Sequence, residues 1–167
     1  ASIRLRPGFK ELVAKCAERG VPVLIVSAGI SDVIEEVLTR EGIDHSGRGV
    51  RVLANRMRFD AGGTLVGFEE REGLVHSGNK HRTAEIMRDY FSEHFQSGIN
   101  KLIILGDKVN DLRAGHGLED RCNGSLRVGF ARGEETELLE HYHAVVPNDG
   151  PLYPVMQLVD DVLITAP

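Results

Sequence analysis

The sequence predicts an α/β fold in which a parallel sheet carries helices on both faces and a small β-hairpin is inserted. Short apolar runs at residues 22–26, 101–105 and 126–130 are too brief for helices, and they are typical of strands buried within a parallel sheet. Stretches with the apolar spacing of helices, such as residues 7–19 and 31–40, alternate with these runs. Strands that alternate with helices favour parallel pairing through crossover connections.

The first elements have clear boundary signals. The helix over residues 7–19 has a proline near its first turn and Gly20 just past its end. The strand at 22–26 ends at the small-residue turn 27–29, and a helix over 31–40 follows at once. This strand, turn and helix place backbone N–H groups at a helix start, where anions bind readily.

The middle of the chain contains the predicted hairpin. Residues 57–60 and 64–68 flank the turn Asp60-Ala61-Gly62-Gly63, which is a hairpin signal. Asn79 is a good N-cap for a helix that runs to about residue 95. The remaining predicted elements are a strand at 50–53, a turn and helix from Asn110, a helix at 134–142, a strand at 144–146 and a closing helix at 154–163.

Length and composition limit the classes of protein. A chain of 167 residues with ordinary composition indicates one domain over residues 1–167. Its net charge of −5 offers no basic footprint for a nucleic-acid polymer. Two cysteines are too few for a disulfide framework. Because the sequence has neither an apolar stretch of roughly 18 residues nor a signal peptide, we expect a cytoplasmic location and no membrane partner.

Two carboxylates follow the strand at 101–105. Asp107 comes directly after Gly106, and Asp111 lies four residues beyond it. In open α/β sheets the carboxyl ends of the strands form the ligand-binding edge. Two acids at that edge repel each other unless a cation lies between them, and hard oxygen ligands favour Mg²⁺. The alternative is an Asp-rich turn without function, because Asp favours turns and helix starts.

Ser27 and Lys80 are candidate anion contacts. Ser27 follows a strand and precedes a helix, which suits an anion contact. The same position also suits a small turn residue or an N-cap with no binding role. Lys80 falls in the first turn of its predicted helix, where the helix dipole disfavours a cation. A nearby anion would explain this lysine, although exposed lysines in first turns are common. We interpret the neighbouring His81 and Arg82 as solvated surface residues.

The order of these signals resembles motifs II, III and IV of haloacid-dehalogenase-like (HAD-like) phosphatases. More closely, four segments are similar to the type-III cytosolic (pyrimidine) 5′-nucleotidase family. They are IVSAGISDVIEEVL, NRMRFDAGGTLVGF, NKH and LGDKVNDLRAG, in this order. The similarity covers nearly the whole chain. Each motif is weak alone, but together they are specific.

The resemblance implies a fold and an activity. The fold would be a HAD-like, Rossmann-type sheet, and the reaction would be Mg²⁺-dependent hydrolysis of nucleoside 5′-monophosphates to nucleoside and phosphate through an aspartyl-phosphate. By resemblance, Ser27 and the Ala28 N–H hold a phosphoryl oxygen, and Lys80 neutralises the phosphoryl group. Asp107 would ligate Mg²⁺, and Asp111 would ligate it directly or through water. The complete enzyme is expected to be a cytoplasmic monomer.

The chain also departs from the family pattern. Such phosphatases carry the nucleophile and the acid/base in an early D-x-D motif on the first core strand, but residues 1–26 contain no Asp. We therefore expect a C-terminal part of the enzyme, without that strand and most of the cap. In the family, that strand lies between the strands of Ser27 and Asp107, so a gap is expected there. Lys108 stands where the family usually has a small residue.

The sequence alone leaves two other functional interpretations open. One is another HAD-type phosphatase, such as one acting on phosphoserine, and another is a non-catalytic fragment or pseudo-enzyme. The segment Asp60-Ala61-Gly62-Gly63-Thr64-Leu65 imitates the nucleophile motif, but it follows Ser27 and its Gly-Gly pair fits a hairpin turn. We also expect these 167 residues alone to be inactive and poorly stable.

Overall fold

The fold was analysed in a computed structural model, which describes residues 3–47, 49–69, 75–76, 78–96, 101–133 and 136–164. The α-helices are α1 (Phe9–Glu18), α2 (Ser31–Arg40), α3 (Thr83–Ile86), α4 (Arg88–Gln96), α5 (Thr136–His141) and α6 (Tyr153–Ile164). The strands are β1 (Val23–Ile30), β2 (Val50–Asn55), β3 (Met57–Phe59), β4 (Leu65–Phe68), β5 (Lys101–Gly106), β6 (Gly124–Phe130) and β7 (Ala144–Val146). Short 3₁₀ helices cover Lys80–Arg82, Val109–Gly115 and Glu119–Arg121.

The parallel strands form two separate sheets. β1 pairs with β2, while β5, β6 and β7 pair in that order, and every one of these ladders is parallel. In the part of the chain that the structure describes, no ladder joins β1 to β5. The α/β class with parallel strands is therefore confirmed, and the sheet has the gap that the sequence led us to expect.

An apolar cleft of about 620 Å³ lies between the two parallel sheets. The backbone and side chains of residues 23–27 in β1 line one wall, and residues 101–106 of β5 line the facing wall. Leu105 of β5 is 36% exposed, so the expectation that this strand is buried on both faces is wrong at that residue. The reason is structural: β5 has a hydrogen-bonded neighbour, β6, on one side, and its other side faces the cleft.

Two apolar clusters hold helices against the sheets. The first joins α1 and α6 to β6, and it includes Leu12, Val128 and Val155, which is fully buried. The second joins α1 and α2 to the start of β2, and it includes Leu38 and Val50. Burial of each such side chain favours folding by roughly 1.5–3 kcal/mol. Val23 and Ile25 of β1 and Ile103 of β5 pack against these clusters, which anchors the two strands that line the cleft.

The hairpin is present where the sequence predicts it. β3 and β4 pair in antiparallel fashion across the turn, with a register shift next to Phe59. The Asp60 carboxylate accepts the N–H groups of Gly62 at 2.9 Å and Thr64 at 2.8 Å. Asp60 is therefore a turn residue, as the following Gly-Gly pair predicts.

Two predicted helices differ from the observed elements. The helix expected from Asn79 to about residue 95 begins as a 3₁₀ turn and is interrupted at Met87, between α3 and α4. The Asn79 side chain does not cap this turn, because its Oδ1 accepts the His76 N–H at 2.8 Å instead. After β5, a 3₁₀ helix replaces the expected α-helix from Asn110, because Asp111 ties the turn back to the strand end.

The other elements agree with the predictions to within a few residues. α2 has the predicted bounds, and β1 extends four residues beyond the predicted strand, through Ile30. Residues 134–135, at the start of the predicted helix 134–142, lie outside the described residues, and α5 covers the described part except Tyr142, which follows its end. Among the described residues, no helix combines the length and apolarity that crossing a membrane requires.

Candidate active site

The sequence-predicted side chains meet at one end of the cleft. Ser27 from β1, Lys80 from the 3₁₀ turn, and Asp107 and Asp111 after β5 all line it. β1 and β5 are each the parallel partner of a neighbouring strand, and both acids lie just beyond the carboxyl end of β5. The structure thus brings together residues that are up to 84 positions apart in the sequence, from Ser27 to Asp111.

Lys80 and Asp111 form a close ion pair. Lys80 Nζ donates to Asp111 Oδ1 at 2.6 Å, and the two side chains are only 12% and 18% exposed. The lysine that the helix dipole disfavours therefore has an anion beside it, and that anion belongs to the chain itself. A charge-assisted hydrogen bond of this length fixes the direction in which the ammonium group points.

The second oxygen of Asp111 organises the loop after β5. Asp111 Oδ2 accepts the backbone N–H groups of Asp107 at 3.0 Å and Lys108 at 3.1 Å. Burial raises the pKa of this carboxyl, but the hydrogen bond and charge of Lys80, together with hydrogen bonds from Asp107, outweigh that effect. The net pKa lies below its ordinary value, so Asp111 is ionised at neutral pH.

Asp107 has a different environment. Its Oδ2 lies 3.1 Å from an Arg132 guanidinium nitrogen, and its side chain is 32% exposed. Arg132 itself is 68% exposed and follows the end of β6. Asp107 is thus the more accessible of the two acids, and its cationic partner sits on a solvent-facing loop.

A tyrosine supports the loop from the side opposite the cleft. Tyr142 Oη donates to the Lys108 carbonyl oxygen at 2.8 Å, and its ring packs over Gly129. Burial raises the pKa of the Tyr142 phenol, and the charges of Asp111 and Asp107 raise it further. The phenol therefore stays protonated and remains a hydrogen-bond donor. The Lys108 side chain is exposed.

The irregular last part of β1 contains a side-chain turn at residues 27–29, here called the Ser27 turn, which has the features of an anion site. Ser27 Oγ accepts the Gly29 N–H at 3.0 Å, which leaves the hydroxyl proton free to be donated elsewhere. Ser27 is partly buried, and Ala28 is exposed. The Ala28 carbonyl accepts a hydrogen bond from the Asn55 side chain at 3.1 Å. Ser27 thus opens a local turn within the irregular last part of β1, and it lines the same cleft as Lys80.

The chemistry of the two carboxylates is compatible with Mg²⁺, and they would supply part of its coordination shell. The described residues contain no group of three or more His, Cys, Asp or Glu side chains that would enclose a metal. Mg²⁺ is usually held by one or two carboxylates, with waters and phosphate oxygens completing the octahedron. Asp107 and Asp111 fit that pattern, and Asp107 has the less encumbered oxygens.

The sequence interpretation missed three residues that shape the site. Arg132 follows β6, so the rule that strand ends share one edge would have found it. Tyr142 ends the predicted helix 134–142, and nothing in the sequence indicates that its hydroxyl reaches Lys108. Asn55 lies in one of the family-like segments, and its side-chain contacts depend on tertiary packing.

Known proteins provide an independent comparison. The sequence profile described as Pyrimidine 5'-nucleotidase (UMPH-1) matches residues 1–163. The 7-methylguanosine phosphate-specific 5'-nucleotidase B of Xenopus laevis is 33% identical over 138 residues, which are 83% of this chain and 45% of that protein. Human phosphoserine phosphatase is 33% identical over 110 residues, which are 66% of this chain and 44% of that protein.

Solved structures share the fold. A crystal structure of cytosolic 5'-nucleotidase IIIB bound to cytidine superposes with a TM-score of 0.77 at 22% identity, over 96% of this chain and 52% of that one. A phosphoserine phosphatase with a phospho-aspartyl intermediate analogue gives a TM-score of 0.59 at 20% identity, over 93% of this chain and 64% of that one. These neighbours have the HAD-like phosphatase fold.

The fraction of each protein that a match covers determines what the match establishes. The chain spans about half the length of the curated relatives that it matches, so their activities describe longer proteins. The profile match, in contrast, covers all but the last four residues of this chain. The chain belongs to the pyrimidine 5'-nucleotidase (UMPH-1) family.

Proposed function

We propose that this chain is the C-terminal part of a phosphatase core, and that the complete protein hydrolyses nucleoside 5′-monophosphates to nucleoside and phosphate. The observation that carries the proposal is the meeting of Ser27, Lys80, Asp107 and Asp111 at one end of a cleft. A buried lysine, a hydroxyl with a free proton and two carboxylates supply the groups that a phosphate monoester and its metal need. Family membership supports the same reaction class.

Each residue has a role that follows from its position. Ser27 Oγ–H and the Ala28 N–H bind phosphoryl oxygens at the Ser27 turn, in the last part of β1. Lys80, held by Asp111, places a positive charge beside the phosphoryl group and neutralises charge that develops during transfer. Asp107, which is paired with the exposed Arg132 in this structure, would hold Mg²⁺, and bound Mg²⁺ would neutralise and orient the phosphate. Asp111, whose oxygens are also held by Lys80 and by backbone N–H groups, would help to hold Mg²⁺ directly or through water.

The nucleophile comes from outside these residues. We propose that a parallel strand ending in an Asp occupies the cleft between β1 and β5, since both strand edges there are without a hydrogen-bonded neighbour among the described residues. The Asp carboxylate attacks phosphorus, and the ester P–O bond breaks as the nucleoside oxygen takes a proton from an acid. Water then cleaves the aspartyl-phosphate, which releases phosphate and restores the carboxylate.

A second candidate is hydrolysis of phosphoserine. Its support is the match to human phosphoserine phosphatase, at the same 33% identity as the first nucleotidase relative but over a shorter part of this chain. The family profile and the longer nucleotidase match favour a nucleotide substrate. We further propose that the complete enzyme acts in the cytoplasm as a monomer.

The test is a substrate panel on the full-length protein. Phosphate release is measured from CMP, UMP, 7-methyl-GMP and phosphoserine, each with and without Mg²⁺. We expect Mg²⁺-dependent turnover of at least one nucleotide, little turnover of phosphoserine, and loss of turnover in Asp107→Asn with the fold intact. Asp120→Asn is the matched control, because this acid is exposed and lies outside the cleft.

Three results would contradict the proposal. Preferred hydrolysis of phosphoserine would select the second candidate. Wild-type rates in Asp107→Asn would remove the assigned metal ligand. Robust Mg²⁺-dependent phosphate release by the 167 residues alone, with their mass verified, would show that the nucleophile lies within this chain and not on an added strand.

A further inference from the structure

Asn55, the last residue of β2, uses its whole side-chain amide in hydrogen bonds. Its Nδ2 donates to the Ala28 carbonyl at 3.1 Å and to the Val75 carbonyl at 3.0 Å. Its Oδ1 accepts the Val75 N–H at 2.7 Å. Both amide protons and one acceptor position are therefore satisfied by backbone groups of two different segments.

The two segments are those that present the candidate phosphate contacts. Ala28 belongs to the Ser27 turn in the irregular last part of β1. Val75 is only 4% exposed, and it is followed by His76, whose N–H bonds to the Asn79 side chain directly before Lys80. Asn55 thus joins the Ser27 turn to the start of the Lys80 turn through a single side chain.

The end of β2 is itself held firmly. Arg56, the next residue, forms ion pairs with Asp32 and Glu35 of α2. The Met57 N–H donates to Asp32 Oδ2 at 2.9 Å. These contacts fix the backbone on the C-terminal side of Asn55 to the first half of α2. The backbone that carries the Asn55 amide is therefore held in place.

We infer that Asn55 is a positioning residue, which sets the distance between the Ser27 turn and Lys80 so that both contact one phosphoryl group. The inference rests on the function proposed above. An amide suits this role because it donates and accepts at once. An aspartate of the same shape would place a charged oxygen against two carbonyl oxygens, and an alanine would release both segments.

The expected kinetic effect follows from the geometry. Misplacement of a binding group by about 1 Å costs up to about 100-fold in rate. Since the two phosphate contacts move relative to each other, we expect kcat/KM to fall about 10- to 100-fold in Asn55→Asp and Asn55→Ala. The inhibition constant of inorganic phosphate should rise in the same variants, because phosphate uses the same contacts.

The experiment uses the full-length protein with three variants. They are Asn55→Asp, Asn55→Ala and the control Ile43→Val, which removes a methylene from an apolar cluster with Leu38 and Val50, away from the cleft. Two quantities are measured: inhibition by inorganic phosphate, and hydrogen exchange of peptides that cover residues 24–30 and 75–82. We expect Asn55→Ala to speed exchange in both peptides and weaken phosphate inhibition at least fivefold. We expect Ile43→Val to change neither.

The outcomes separate this inference from the proposed function. If the wild-type protein releases phosphate and the Asn55 variants keep its phosphate inhibition constant, the positioning role is wrong. It is also wrong if exchange in Asn55→Ala rises in neither peptide or in only one. If the wild type hydrolyses no phosphate monoester, the proposed function fails, and coupled exchange in the two peptides still supports Asn55 as their link.

Discussion

At the scale of single residues, the candidate site depends on how two acids and two cations are paired. Asp111 is held by Lys80 and by two backbone amides, which makes it the fixed member of the pair. Asp107 is more exposed, and its partner Arg132 is largely in solvent, where an ion pair contributes little to stability. The two acids therefore differ: Asp111 orients the lysine, and the more exposed Asp107 is the acid that we propose as the metal ligand.

The first residue-scale prediction concerns Asp111→Asn in the full-length protein. The substitution removes the negative charge of Asp111, so the largely buried Lys80 ammonium loses its anionic partner and gains little contact with water. We therefore expect the free energy of unfolding by urea to fall by about 1–3 kcal/mol. The control is Glu85→Gln, which breaks the exposed pair with Arg82 and should matter much less. Equal losses in the two variants would contradict a special role for the Lys80–Asp111 pair.

The same variant has a defined pH dependence. Because the folded state lowers the pKa of Asp111, its stabilisation is fully present above the ordinary value of 3.8 and is lost as the pH falls through the lowered folded value. The difference between wild type and Asp111→Asn should thus be constant from pH 7 to pH 5 and shrink as the pH falls below 3.8. A difference that grows towards acid pH would show that the sign of the shift is wrong.

At the scale of elements, the turn after β5 requires glycine at its first position. A Cβ on Gly106 would lie 2.5 Å from Asp111 Cβ and 2.5 Å from Tyr142 Oη. The first of these atoms is close to the backbone, so it cannot rotate away. Glycine thus lets the strand end, the acid and the tyrosine occupy one small volume, which explains the close return of Asp111 onto the strand.

The element-scale prediction compares two glycines of one sheet. Gly106→Ala should destabilise the full-length protein by about 1–3 kcal/mol through overpacking, and it should displace Asp111 from Lys80. Gly124→Ala in β6 is the matched control, because no atom lies within 4 Å of its added Cβ. Thermal unfolding of both variants checks this. A tolerated Gly106→Ala would contradict the packing around the turn.

The elements also show what local sequence can reveal. Apolar runs and helical spacing located β1, β5, β6 and α2, because burial imposes those patterns directly. They failed at the Lys80 and Val109 turns, where 3₁₀ geometry replaces α-helix. In both places a side chain bonds to nearby backbone: Thr83 donates to the Lys80 carbonyl, and Asp111 accepts two amides. Such competition between side chain and backbone depends on tertiary placement, so periodicity does not reveal it.

Among the site residues, Ser27, Lys80, Asp107 and Asp111 were predicted from motif order and lie on one cleft. Their individual contacts were not predictable. The anion that explains Lys80 is Asp111, 31 positions away, and the cation beside Asp107 is Arg132 from another strand end. Pairings of this kind arise from the crossing of elements that local spacing does not encode.

At the scale of the whole molecule, the cleft between the two parallel sheets is the dominant feature. Open strand edges promote association with other chains. In addition, the apolar side chains that line the cleft between β1 and β5 are less buried than they would be in a continuous sheet. A strand added there would join β1 to β5 and place its carboxyl end beside Ser27 and Asp107. Catalysis in this account thus needs both the described residues and that added strand.

The most direct test of this account is a crystal structure of the full-length protein soaked with inorganic phosphate. We expect the anion roughly 2.7–3.2 Å from both Ser27 Oγ and Lys80 Nζ, with a strand filling the space between β1 and β5. An anion bound instead at His81 and Arg82, with Ser27 turned away and the cleft still open, would contradict the assignment of the site.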